Sequence, residues 1–195
     1  MRGRFLTYIG AVAVFVFAGS LLAAHLGYSD EKTLSPYVEQ LGSSVRGLSP
    51  QEVDDLANGR GAGYARTAEL NSYPGPRHLL DMKQELGLSS GQVTQIEAII
   101  AKMQPEAKRI GQEILRREMQ LSAAFANGTI SETDLKALVE NLAVLYGQFR
   151  VTHLRAHLQV KPLLSEEQIA KYDALRGYAS SPGMPMPMEH PYPMH

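Results

Sequence analysis

The stretch SSGQVTQIEAIIAKMQPEAKRIGQEILRREMQLSAAFA, residues 89–126, decides the fold. Val93, Ile96, Ile100, Met103, Ala107, Ile110 and Ile114 alternate three and four residues apart, and Leu121 and Ala124 resume the rhythm after Arg117. Such an alternation keeps one apolar seam turned toward a partner helix. The partner comes next in sequence, because Leu135, Leu138, Leu142, Leu145, Phe149, Thr152 and Ala156 repeat the spacing after the turn Asn127-Gly128-Thr129. The expected fold is all-α: a hooked antiparallel hairpin of two long helices with short flanking helices, about four helices in the core domain.

The chain has 195 residues, enough for one domain of ordinary size with extensions. A net charge of -1 gives no field suited to nucleic acid, and none is expected as a partner. With no cysteine there are no disulfides and no thiolate metal sites. There is no Trp, so the core is built chiefly from Leu, Ile, Val and Ala.

Arg2 and Arg4 precede an apolar run from Phe5 to Leu26. A basic flank before such a run signals export with the N-terminus left in the cytoplasm. The run of 22 residues exceeds a usual signal-peptide core and approaches the roughly 20 that span a bilayer. Residues 1–26 are therefore read as a signal or retained anchor, with 5–26 in the inner membrane and the rest in the periplasm.

Residues 27–75 are rich in Gly, Ser and Pro and read as a tether with short helices. Ser49-Pro50-Gln51-Glu52 is a capping box with proline at the first helical position, so a helix is expected from about Pro50 to Ala57. Gly59-Arg60-Gly61-Ala62-Gly63 then reads as a flexible joint. It lacks the Gly-Lys-Ser/Thr ending and the preceding strand of a phosphate loop.

Residues 76–178 form the helical domain. Pro76 opens a helix carrying Leu79, Leu80, Met82 and Leu86, which Gly87 closes. Pro105 interrupts the hydrogen bonding of the long helix, and a bend is expected there. Pro162 ends the returning helix. Ser165-Glu166-Glu167-Gln168 caps a last one, with Ile169, Tyr172 and Leu175 facing inward. Residues 179–195 are a tail that is neither helix nor core, since five prolines fall between Ser181 and His195.

Two pentapeptides bracket the hairpin: Leu88-Ser89-Ser90-Gly91-Gln92 and Leu164-Ser165-Glu166-Glu167-Gln168. Both resemble the Leu-Thr-x-x-Gln motif that occurs twice in the periplasmic CpxP and Spy family, with Ser in place of Thr. The wider group includes the zinc-resistance-associated proteins (ZraP) and the membrane-anchored metal sensor CnrX. The resemblance covers roughly Pro76 to Tyr178. It implies an all-helical hook, often dimeric, that works in the envelope as an ATP-independent chaperone or as a metal-responsive regulator.

Several residues have metal-ligating chemistry. The tail holds Met184, Met186, Met188, His190, Met194 and His195, thioethers that favour Cu(I) beside imidazoles that suit copper, zinc and nickel. On the returning helix, His153 and His157 are spaced to lie on one face and bind a divalent ion such as Zn(II) or Ni(II), given another ligand from elsewhere. The bland alternative makes them two partly solvated edge residues. CnrX-like sensors are similar in having a His in this part of the returning helix and a His-x-x-x-His pair on their first helix. Here the first helix offers His78-x-x-x-Met82.

Lys102, Arg109 and Arg116 recur every seven residues and form a basic row on the long helix. A row of this kind is usually a solvated face; in a chaperone it would hold unfolded envelope proteins weakly. Glu97, Glu106, Glu113 and Glu118 read as solvent-facing partners for nearby Lys and Arg. No catalytic constellation emerges, and no enzyme is expected. The sequence points first to heavy-metal binding linked to sensing or resistance, with metal ions and a membrane regulator as partners. The alternative is an ATP-independent periplasmic chaperone of the Spy and CpxP type, and a purely structural module is a third reading. A homodimer is expected, because a two-helix layer cannot easily cover both its sides.

Overall fold

The computed structural model describes residues 35–178. The expected membrane segment 5–26 and the Met/His tail from Met184 to His195 lie outside the described residues. Within them every regular element is a helix: α1 Pro50–Ala57, α2 Arg66–Glu69, α3 Pro76–Asp81, α4 Ser90–Ala126, α5 Glu132–Val160 and α6 Glu166–Leu175, with 3-10 turns at Val38–Gly42 and Lys161–Leu163. None of them is long and apolar enough to cross a membrane.

Helix α4 starts where a serine can satisfy the first free amides. Ser89 accepts from the Gln92 N–H while the Gln92 side chain accepts from the Ser89 N–H. Its 37 residues continue through Pro105. Gly128, at φ +63°, supplies the left-handed turn after its end. Ser131 caps α5, and the two long helices pack side by side as the expected antiparallel hairpin.

Two apolar clusters hold the body together. Near the middle of the hairpin Ala107, Ile110 and Ile114 of α4 meet Leu142 and Phe149 of α5. At the open end Leu79, Leu86, Ile96, Val160 and Tyr172 form the second. Fully burying one such large side chain contributes about 1.5–3 kcal/mol. The heptad rhythm therefore becomes a seam, as the spacing requires.

Three expectations change. Residues 45–75 do not simply connect: Val45, Leu48 and Leu56 are buried in the central cluster, so this segment is an arm laid along the hairpin. A helix as short as α1 is marginal alone, and its buried Leu56 ties it to α4. The glycine run forms part of the arm, with Gly59 against the backbone of Ala107 and Lys108. Helix α3 stops at Asp81 rather than Leu86, and a turn carries the chain to Gly87. Leu175 faces solvent, 48% exposed, because only Tyr172 of α6 reaches the core.

The open end is closed by long-range polar ties. Gly75 N–H donates to Tyr172 Oη at 3.2 Å, Ser72 Oγ bonds Asp173 at 2.6 Å, and Tyr178 Oη donates to Glu69 at 2.7 Å. The two capping glutamines also meet. Gln92 Nε2 donates to Gln168 Oε1 at 2.8 Å and to the Leu163 carbonyl at 2.8 Å, while Gln168 Nε2 reaches the Leu86 carbonyl at 3.4 Å.

Candidate functional site

The arm and the open end enclose a cleft of about 320 Å³, bounded by the Gly59–Gly63 loop, α2, α3 and the facing sides of α4 and α5. His78, His153 and His157 all line it, together with Glu69 and Met103. The fold thus brings three of the candidate ligands to one place. His153 and His157 are not edge residues: each is only 5% exposed.

The two α5 histidines differ in what their nitrogens do. His153 places Nδ1 2.9 Å from the Phe149 carbonyl and Nε2 3.3 Å from the Gly59 carbonyl, so neither nitrogen is open to an ion. His157 donates Nδ1–H to the Tyr73 carbonyl at 2.8 Å. That bond fixes the tautomer and leaves Nε2 with its lone pair, the arrangement in which a histidine ligates a metal. The H-x-x-x-H spacing therefore does not make a chelating pair; His153 clips the arm to the hairpin and His157 offers one ligand.

The other donors converge on Gly75. A Cβ there would lie 2.9 Å from Glu69 Oε1, 3.3 Å from His157 Cε1 and 3.5 Å from His78 Cδ2. Glu69 holds Oε2 toward Tyr178 and Arg176, leaving Oε1 3.8 Å from His78 Nε2. As placed, no three such side chains among the described residues stand close enough to hold an ion. His78 is the partly exposed member, its side chain 39% exposed. Met82 is not part of it and packs in the core at the open end. Glu69 and Met103, which line the cleft beside the histidines, were not singled out by the sequence reading; no His, Met, Asp or Glu stands three or four residues from Glu69 to mark it.

Electrostatics keep Glu69 charged and His157 neutral. Burial pushes the Glu69 carboxyl up, but the Tyr178 hydrogen bond, His78 and Arg176 together hold it below its ordinary value. Burial pushes His157 down, against the Tyr73 bond and Glu69, which favour its protonated form. Arg60 at the rim is neutralised by Asp54 and Asp55, and Arg77 reaches Gln104 at 3.2 Å.

A pH dependence follows. A histidine depressed in the folded state binds its proton more readily when unfolded, so the stability it contributes is full above its unfolded value of about 6.5 and falls as pH drops below it. Thermal unfolding at pH 7.5 and 5.5 should show a larger acid loss in the native chain than in His157→Gln. Equal losses would remove His157 from the account.

The basic row lies on the solvent side of α4, but two of its members are paired. Arg109 bonds Glu106 at 2.8 Å and Arg116 pairs with Glu113. Glu118 instead accepts from Tyr146 Oη at 2.8 Å, a bond across the hairpin.

A family model described as LTXXQ motif family protein matches residues 76–176. No curated protein and no solved structure matches the chain.

Proposed function

The chain belongs to the LTXXQ motif family, the family of CpxP/Spy/ZraP-like periplasmic proteins, and from that premise we propose that it is an envelope metal-binding protein whose arm-and-hairpin cleft takes a divalent ion. The observation that carries this reading is the convergence of Glu69 Oε1 with the His157 and His78 rings around Gly75. One carboxylate, two imidazoles and the nearby Met103 thioether form a donor set of intermediate softness, suited to Zn(II) or Ni(II). The ion would bridge the arm, which supplies Glu69, and the hairpin, which supplies His157. Occupancy would then fix how firmly the arm is seated, and a regulator needs such a difference between bound and free states. The N-terminal segment would hold the protein at the inner membrane, and the Met/His tail would add a separate Cu(I) site.

Metal titration of the full chain in detergent, beside a chain ending at Ser181, tests this. Zn(II) or Ni(II) affinity should survive loss of the tail. It should fall by at least about 100-fold in His157→Ala, the upper end of what losing even an outer partner of a metal ligand costs. Divalent binding that disappears with the tail would reject the cleft. Cu(I) binding should instead follow Met184, Met186 and Met188, and be lost when all three become leucine.

The chaperone is the second reading, supported by Met119 and Phe125, both more than half exposed near the hairpin tip. Suppression of client aggregation should then weaken when Lys102, Arg109 and Arg116 are all changed to Glu, and full activity in that variant would reject a role for the row.

A further inference from the structure

The cleft between arm and hairpin is larger than one ion needs. A water fills roughly 30 Å³, so an ion leaves most of the 320 Å³ free, a volume at the lower end of small-molecule sites. Glu69, His157 and His78 supply three ligands, and a zinc site built from three protein ligands keeps its fourth position for an outside group.

The charges around the cleft define the chemistry of that group. Three arginines line it, Arg60, Arg66 and Arg77, against one carboxylate, Glu69. Arg60 is answered by Asp54 and Asp55, and Glu69 by Arg176 at 3.3 Å. Asp81 stands outside the lining, 3.6 Å from the other nitrogen of His78. Among the described residues no carboxylate pairs with Arg66 or Arg77. Arg66 turns back over the glycine loop, its Nη2 2.7 Å from where a Cβ at Gly63 would stand, and Arg77 Nη2 donates to the uncharged Gln104 amide at 3.2 Å. A divalent ion seated here adds two positive charges to these two, and neither the Met103 thioether nor a neutral imidazole offsets any of them. A cleft focuses the field of the charges that line it, so the arginines oppose a bare ion and favour one that arrives with an anion.

We propose that the cleft takes its divalent ion together with a small dicarboxylate, one carboxylate on the open position of the ion and the other on Arg66 and Arg77. This rests on the metal site proposed above and names the second ligand of that site. A guanidinium matches a carboxylate in a planar, two-bond pairing. A monocarboxylate can serve the ion or the arginines but not both. Each of the two short helices then carries one ligand and one arginine, Glu69 with Arg66 on α2 and His78 with Arg77 on α3.

The test is a Zn(II) titration of the full chain in detergent, in chloride, acetate and succinate at matched ionic strength. Affinity should be about tenfold higher in succinate than in chloride, within the usual range of coupling between two ligands, and succinate should bind the zinc-loaded chain tighter than the zinc-free chain by the same factor. Acetate should change it less than about twofold, the factor that a salt effect without bridging is allowed here. Any binding of the free ion by succinate works against the effect. Both arginines are exposed, so the double variant Arg66→Gln, Arg77→Gln should keep its fold. It should lose the succinate effect, yet bind zinc in chloride at least as tightly as the native chain, because two opposing charges are gone. The effect should also be absent in His157→Ala. Equal native affinity in succinate and chloride, a succinate effect retained in the double variant, or weaker zinc binding by that variant in chloride would each overturn the proposal while leaving the metal site standing. Zinc binding in none of the three salts would reject the metal site and this inference with it.

Discussion

Gly111→Ala is expected to unseat α1 and destabilise the body by about 3 kcal/mol, the upper range for overpacking a tight contact. A Cβ at Gly111 would overlap the carbonyl oxygen of Leu56, and its Cα and carbonyl carbon stand close behind. The obstructing atoms are all backbone, so no rotamer change relieves the clash. The adjoining contact is as tight: Gly59 at φ +63° rests on the backbone of Ala107 and Lys108. The arm and α4 thus meet backbone to backbone, and moving α1 withdraws Leu56 from the central cluster. For a body of this size the loss corresponds to about 10 °C in Tm. Hydrogen exchange should report it first at Leu56 to Gly59, with α4 and α5 still protected. Unchanged Tm and exchange would mean that the arm is not seated as described.

Phe149→Ala should cost about 3–5 kcal/mol, a large part of the 5–15 kcal/mol by which domains are ordinarily stable. The ring is fully buried. It packs edge-on to Tyr64 at 5.6 Å and against the His153 ring at 4.6 Å, joining the arm, α5 and the cleft wall. Its removal leaves a cavity beneath Tyr64, which is itself stacked on Tyr146 at 5.8 Å. Denaturant unfolding should show the loss, and Phe149→Leu should recover most of it by refilling the volume. A cost under about 1 kcal/mol for the alanine would mean that the arm closes the gap by shifting, contrary to a rigid central cluster.

How much of this was legible in the sequence depends on whether the signal was local. The caps at Ser49, Ser89 and Ser165 and the seam through Ile96, Ala107, Ile110 and Ile114 are written in spacings of three and four residues, and the helices follow them. The arm was missed because its glycines look like a flexible joint until Gly59 and Gly111 are seen to be the places where two backbones touch. Leu175 was misread because a ten-residue helix held at one end turns only a narrow stripe inward. The histidine pair was legible as a pair but not as two different residues. What divides them is a carbonyl at Gly59 and another at Tyr73, positions 94 and 84 residues away in sequence. Glu69, which faces His157 across the cleft, carried no local signal.

The three capping boxes end in different letters, and the difference has a reason. At α1 the box closes with Glu52, whose carboxylate accepts the Ser49 amide and does nothing further across the fold. At α4 and α6 the same place holds Gln92 and Gln168, whose oxygens do the same capping while their Nε2 groups donate to each other's oxygens and to the Leu163 and Leu86 carbonyls. A carboxylate has no proton to give, so glutamate would cap as well but could donate neither to the partner glutamine nor to the Leu163 or Leu86 carbonyl. The permitted alphabet at these two positions is therefore narrower than helix capping alone would set. The motif spells a tie between the starts of α4 and α6, distant in sequence, rather than two helix starts that happen to be alike.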